Sequence, residues 1–400
     1  MFSQKLSTIT SAPNISSLIH FWEPEDNFYF IVRSSRCLER SMSRFLNIPL
    51  ELRELIIEHV LFSPTSPPSN LLELNGREYY DLNYSASVGS GTKVYYTQHD
   101  MPSSPKCLSL LLINHQLSTE TRAVLDRGKL DYVVEIAVKN ELDLFLTWQS
   151  VPRLATHISS LYTNVRLFGP IIDSRTIGGQ LGDGGRRGFH RSFFAALERF
   201  LRYGPVREMP QQRERGSSVF RHRKALEKFE DRSMLIDTLV MDFQSADLEL
   251  NFPPDNVTFR HWKQRHNGLD RFPSRSSGEI LKTLSSYKPR PEWLCGYLHQ
   301  WVIDLLSMGY QVSSFGKPLY DHIGTIQMLV DGRLQFKIDL SSHLAGRRCT
   351  DAGSMMGHLN YEDRKTEFWK WKTETLLRRE TQGFPVVRPS EDEWMHELSQ

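Results

Sequence analysis

The sequence has little of what marks a secreted, metal-bound or membrane-embedded protein. Its 400 residues contain four cysteines, Cys37, Cys107, Cys295 and Cys349. They lie far apart, so neither a disulfide framework nor a cysteine-rich zinc site is indicated, and lone thiols of this kind suit a reducing compartment. No stretch approaches the ~18 consecutive apolar residues of a membrane-spanning helix. The first thirty residues lack the apolar block of a signal peptide, because Ser, Thr, Pro and Asn interrupt every short run. A charge excess is missing as well. The formal net charge of +2 gives no global field for nucleic acid or an anionic membrane. The expected location is cytoplasmic or nuclear, with neither membrane nor nucleic acid as a partner.

Catalytic signatures are equally scarce. No Gly-x-Ser-x-Gly elbow occurs. Gly89-Ser-Gly-Thr-Lys93 lacks both the Ser or Thr after the lysine and a strand leading in, so it reads as a loop. Gly182-Asp-Gly184-Gly185-Arg-Arg-Gly188 precedes a helical run, and its amides with Arg186 and Arg187 could cradle an anion. The nearest strand candidate ends near Phe168, too far upstream for a dinucleotide fingerprint, so a flexible loop is the reading. His261 and His266 have no cysteine or carboxylate at ligand spacing. Residues 186–232 carry thirteen Arg or Lys against six acids. The acids Glu227, Glu230 and Asp231 alternate with Lys224, Lys228 and Arg232 at helical spacings, the pattern of a solvated helix face. No catalytic residue, cofactor or metal ligand is expected, and the chain is not expected to be an enzyme.

A packed core is well supplied. The chain is 39% hydrophobic, with 22 Phe, 14 Tyr and 8 Trp. Apolar alternation places a strand at Tyr132–Val138, and three later segments of similar shape also read as strands, Ile158–Leu161 leading to Val165–Phe168, Ile236–Met241 and Ile323–Val330. Helical periodicity marks Asn47–Leu61, Leu108–Leu125 capped by a left-handed Gly128, Phe189–Tyr203 closed by Gly204-Pro205, and Trp293–Met308 closed by Gly309. Strand–helix–strand order implies βαβ units on one sheet. At Asp331-Gly332 two signals conflict. Turn chemistry favours a two-residue hairpin, whereas a shifted, bulged register would pair Val330 with Leu334, Met328 with Phe336 and Ile326 with Ile338. The bulge gives one clean apolar face and is the expectation. Near the end, Tyr361–Glu380 reads as a charged helix with a docking stripe of Phe368, Trp369 and Trp371.

One segment carries a resemblance. Phe45-Leu-Asn-Ile-Pro49-Leu-Glu51-Leu-Arg53-Glu-Leu-Ile-Ile-Glu-His-Val-Leu61 is physically a helix start, with Pro49 in the first turn and Glu51 near the positive helix end. Leu52, Leu55, Ile56 and Val60 form an apolar stripe, and Leu50 falls off it. The segment resembles the opening of F-box domains and related fungal F-box-like proteins. Leu111-Leu-Ile-Asn-His-Gln-Leu-Ser-Thr-Glu120 is similar to their second helix, and Phe200–Pro205 and Gly324–Gly332 are also similar to pieces of uncharacterised members. The matches touch about a quarter of the chain, and a loop of about 45 residues separates the first two helices where ordinary F-boxes keep them close.

The resemblance implies a substrate adaptor that binds the adaptor subunit of a cullin–RING ubiquitin ligase and an unknown protein substrate. Pro49, Leu50, Leu52, Leu55, Ile56 and Val60 are then the partner-binding residues. A non-catalytic scaffold with no ubiquitin link is the alternative, with the stripe buried against the Leu110–Val124 helix. The expected fold is α+β, an N-terminal F-box-like helical module packed on a mixed sheet with helices and a C-terminal helix. Its expected parts are a poorly ordered arm over 1–40, the module over 41–128 with a loop insertion at 62–106, an α+β domain over 129–345 and a helical tail over 346–400.

Overall fold

The computed structural model describes residues 17–22, 28–33, 45–81, 93–96, 106–141, 143–171, 189–205, 233–246, 249–266, 284–308, 313–348 and 361–388. Two compact units divide the chain, Met1–Val60 and Leu61–Gln400. In the first, β1 (Ser17–Trp22) and β2 (Phe28–Arg33) form an antiparallel ribbon. This ribbon lies in the stretch expected to be a poorly ordered arm. Phe28-Tyr-Phe-Ile-Val32, a run of strong strand formers, accounts for the difference. Helix α1 (Leu50–Phe62) follows.

The second unit is an α+β structure on one eight-stranded mixed sheet, ordered β10-β9-β8-β7-β5-β6-β4-β3. Its strands are β3 (Glu78–Asp81), β4 (Lys93–Tyr96), β5 (Asp131–Lys139), β6 (Asp143–Ser150), β7 (His157–Phe168), β8 (Leu235–Ser245), β9 (Ile323–Val330) and β10 (Arg333–Asp339). Its helices are α2 (Lys106–Leu111), α3 (His115–Arg127), α4 (Phe189–Tyr203), α5 (Phe259–His266), α6 (Pro291–Leu306), α7 (Ser313–His322), α8 (Leu340–Ala345) and α9 (Tyr361–Thr381). Neighbours β5, β7, β8 and β9 are all parallel, the arrangement expected of βαβ units.

The chain moves across these four strands one place at a time, always in the same direction. Right-handed crossovers taken in one direction put their helices on one face. The core follows that rule. Val134 and Ile136 of β5, Met241 of β8 and Met328 of β9 meet Phe194 of α4, Trp262 of α5, Leu298 of α6, Tyr320 of α7 and Phe368 of α9 in a single cluster.

The opposite face has a smaller cluster of Leu74, Ala137, Phe145 and Phe168 under the 63–77 segment, and beyond it a polar network. Arg166 donates to Glu135 at 2.8 Å and to the Pro68 carbonyl at 2.7 Å. Asn164 donates to Gln149 at 3.0 Å, and Asp242 accepts from Tyr162 at 3.0 Å and Gln244 at 2.9 Å.

Several local expectations are corrected. The stretch expected as a loop insertion, 62–106, supplies β3 and β4, which widen the sheet. Strand β6 went unread, although Leu144, Leu146 and Trp148 alternate. Its hairpin with β5 turns through Asn140 and Glu141 at φ of 53° and 56°, without the glycine that announces such turns. Glu141 is held there by the Trp262 indole, which donates to its carboxylate at 2.6 Å.

The helix expected over Leu108–Leu125 is two helices. Asn114 caps the second, its side-chain oxygen accepting from the Leu117 N–H at 2.8 Å. Gly128 is not left-handed but has φ of −74°. A side chain there would meet Phe62 at 2.9 Å.

The β9–β10 hairpin resolves the conflict of signals by satisfying both in turn. Asp331 and Gly332 take φ of 48° and 75°, and Val330 pairs with Arg333 rather than Leu334. The bulge sits further in, between Leu334 and Phe336, so Met328–Phe336 and Ile326–Ile338 pair as the apolar pattern requires.

Candidate functional site

Helix α1 starts where proline dictates. The Pro49 carbonyl accepts from the Leu52 and Arg53 N–H groups, both at 3.1 Å. The Arg53 guanidinium folds back to the Leu46 carbonyl at 3.0 Å and to the Ile48 carbonyl, tying the helix to the turn before it. Arg53, Ile57 and Leu61, at steps of four, are its buried positions. Ile57 is 1% exposed.

None of the residues expected to bind a partner is buried, although Leu50, three residues before Arg53 in the first turn, lies on the side of that edge and not with Leu52, Leu55, Ile56 and Val60. Pro49, Leu50, Leu52, Leu55, Ile56 and Val60 are all exposed, Leu55 to 59%. The helix therefore has three sides. One is buried, one is apolar and open to solvent, and one carries Glu51, Glu54 and Glu58 at steps of three and four. Apolar residues so exposed cost a protein solubility and stabilise nothing in the free chain, which makes a contiguous set of them a mark of a contact surface.

A second feature was not legible in the sequence. A cavity of about 390 Å³ lies at the amino-terminal ends of β8 and β9, lined among others by Glu198 and Arg202 of α4, Asp321 and His322 of α7, and Arg378 of α9 with Gln382 just beyond it. These residues come from segments far apart in sequence, so no motif could announce them.

The cavity is electrostatically unusual. Burial pushes the Glu198 carboxyl up, opposed by Arg202, which donates to its Oε1 at 2.9 Å. Burial likewise raises Asp321, opposed by its ion pair with Arg378. Burial pushes His322 down to about 4, and the Arg378 and Arg202 charges lower it further, against a hydrogen bond to the Met234 backbone. At neutral pH the imidazole is thus uncharged.

Elsewhere the chemistry is structural. His261 Nδ1 accepts from the Thr258 N–H at 3.1 Å and so caps α5. Cys107 and Cys295 are free and buried, and burial pushes the Cys295 thiol up to about 12. Among the described residues no group of three or more His, Cys, Asp or Glu could hold a metal, and no helix is long and apolar enough to cross a membrane. The glycine-rich 182–188 stretch, most of the basic 186–232 stretch, the side chain of His266, Cys37 and Cys349 lie outside the described residues. No protein-family model, curated protein or solved structure matches the chain.

Proposed function

We propose that the chain is a protein-interaction module that docks a partner through the exposed apolar side of α1, in the role of an F-box-like substrate adaptor of a cullin–RING ubiquitin ligase. The observation that carries the docking role is the exposure of Leu50, Leu52, Leu55, Ile56 and Val60 on a helix whose fold needs only Arg53, Ile57 and Leu61. An amphipathic helix laid into an apolar groove is a common mode of recognition, read as anchors at steps of three and four. The choice of a ligase adaptor subunit as partner rests on the resemblance of Phe45–Leu61 to F-box openings. In this reading the chain recruits and performs no covalent chemistry of its own.

Affinity purification of the full chain from cells, with identification of the co-purifying proteins, tests the reading. The adaptor subunit and its cullin are expected together. A stable set of partners lacking both, captured through the same helix, would favour the scaffold without a ubiquitin link.

A further inference from the structure

The segment between α1 and β3 opens with Ser63-Pro-Thr-Ser-Pro-Pro68, a sequence that constrains its own backbone. A proline ring locks φ at about −65°, and the residue before a proline is held in the extended region. Those two effects cover Ser63, Pro64, Ser66, Pro67 and Pro68, leaving only Thr65 unconstrained. Residues 63–68 accordingly form no α-helix, strand or turn. The conformation so favoured is polyproline II, a helix with three residues per turn and no hydrogen bonds of its own.

The contacts of the segment repeat with that period. The sheet holds it by two carbonyls three residues apart, that of Thr65, which accepts from the Gln149 side-chain amide at 3.1 Å, and that of Pro68, which accepts from Arg166 at 2.7 Å. The Thr65 N–H and hydroxyl donate in return to the Gln149 carbonyl at 2.9 Å and 3.1 Å. Leu71 and Leu74 then fasten the following turn to the cluster of Phe145 and Phe168. Pro64 and Pro67, also three residues apart, are exposed, and so is Ser66 beside them. One edge of the helix is tied to the sheet, and the proline edge is open.

Two prolines one turn apart on a backbone already fixed are what proline-reading domains recognise. Their grooves are lined with aromatic side chains, and a ligand held beforehand in this helix loses little conformational entropy on entering. A groove grips a three-edged helix from one side and leaves the far edge free, and here the far edge is the tethered one. We infer that Pro64 and Pro67 form a docking ridge for a partner domain with an aromatic-lined, proline-reading groove of the Src-homology-3 type. The ridge uses none of the α1 residues assigned to docking, so the inference stands apart from that role.

The test is titration of the full chain against an array of purified Src-homology-3 domains, with circular dichroism as the folding control. Saturable binding of the wild type by at least one domain is expected. Pro64→Ala and Pro67→Ala should each weaken it at least about tenfold, as the loss of an anchor does. Thr65→Val, on the tethered edge, should change the affinity by no more than about twofold. Where a proline variant does not fold, a synthetic peptide of residues 62–70 with the same substitution repeats the comparison. No binding by any domain up to about 1 mM would overturn the inference. So would folded Pro64→Ala and Pro67→Ala chains that bind as the wild type does. A wild-type peptide that binds while the full chain does not would overturn it too, since the fold would then close the ridge off.

Discussion

Helices α1 and α9 invert the usual relation between composition and burial. Helix α1 is rich in Leu and Ile, yet it leaves Leu50, Leu52, Leu55, Ile56 and Val60 in solvent. Helix α9 reads as a charged surface helix, yet Lys372 is 1% and Arg379 0% exposed. Its cations are buried because they serve the backbone. Arg379 donates to the Tyr320 carbonyl, to the Ile323 carbonyl at 2.8 Å and to Ser341 at 2.9 Å, where α7 hands over to β9. Lys372 donates to the carbonyls of Ala345 at 2.9 Å and Arg347 at 2.7 Å, at the negative end of α8. Phe368, Trp369 and Trp371 complete the docking from the same helix. Charge that is buried with partners holds the fold together, whereas the apolar surface left open on α1 has no structural account and is the surface proposed to dock a partner.

If that contrast is sound, the largest losses of stability should come from α9. Arg379→Ala strands two buried carbonyls and opens a void, at a cost of about 3–5 kcal/mol. Urea denaturation reads it, and a loss under 1 kcal/mol would show that the buried cation is dispensable. On α1 the buried edge should behave like any core. Ile57→Ala should cost about 2–4 kcal/mol, and a near-neutral result would mean that the helix is not anchored where its burial indicates.

The cavity beside α9 gives a dependence on pH. His322 has a folded pKa of about 4 against an ordinary 6.5. A histidine depressed in this way contributes stability above the unfolded value, and loses it as pH falls towards the folded one. Glu198 and Asp321 have the opposite sense, since their raised carboxyls contribute most at low pH and lose that contribution as pH rises. Comparing wild type with His322→Gln cancels the acids. Between pH 6.5 and 4 the wild type should lose about 2 kcal/mol more than the variant. Equal slopes would mean that the imidazole titrates normally. The smallest effect belongs to the open side of α1, where Leu55→Lys should move stability by no more than about 0.5 kcal/mol.

The same two helices show what could be read from the sequence. Strand β5 was legible because one face alternates without interruption through Tyr132, Val134, Ile136 and Val138, and β7, β8 and β9 because each carries a short run rich in Ile, Leu, Val and Met. The aromatic stripe of α9 was legible for a similar reason. The burial of Lys372 and Arg379 was not, because their partners are carbonyls brought close only by the tertiary fold. On α1 nearly every side carries an apolar residue, so periodicity alone could not choose the buried edge, and the stripe of Leu52, Leu55, Ile56 and Val60 turned out to be the open one. The cavity was hidden for the same reason as the buried cations, since Glu198, His322 and Gln382 share no local pattern.

The most direct test of the open side of α1 is capture of the purified ligase adaptor subunit by the wild type, Leu50→Asp, Leu55→Asp and Ile57→Asp chains, each checked by circular dichroism. The account predicts that the wild type captures the adaptor. Leu50→Asp and Leu55→Asp should stay folded and lose capture, since anchor residues at an interface commonly contribute about 2 kcal/mol or more, and Ile57→Asp should lose the helix itself. A folded wild type that captures no adaptor, or folded Leu50→Asp and Leu55→Asp chains that capture it as well as the wild type, would contradict it.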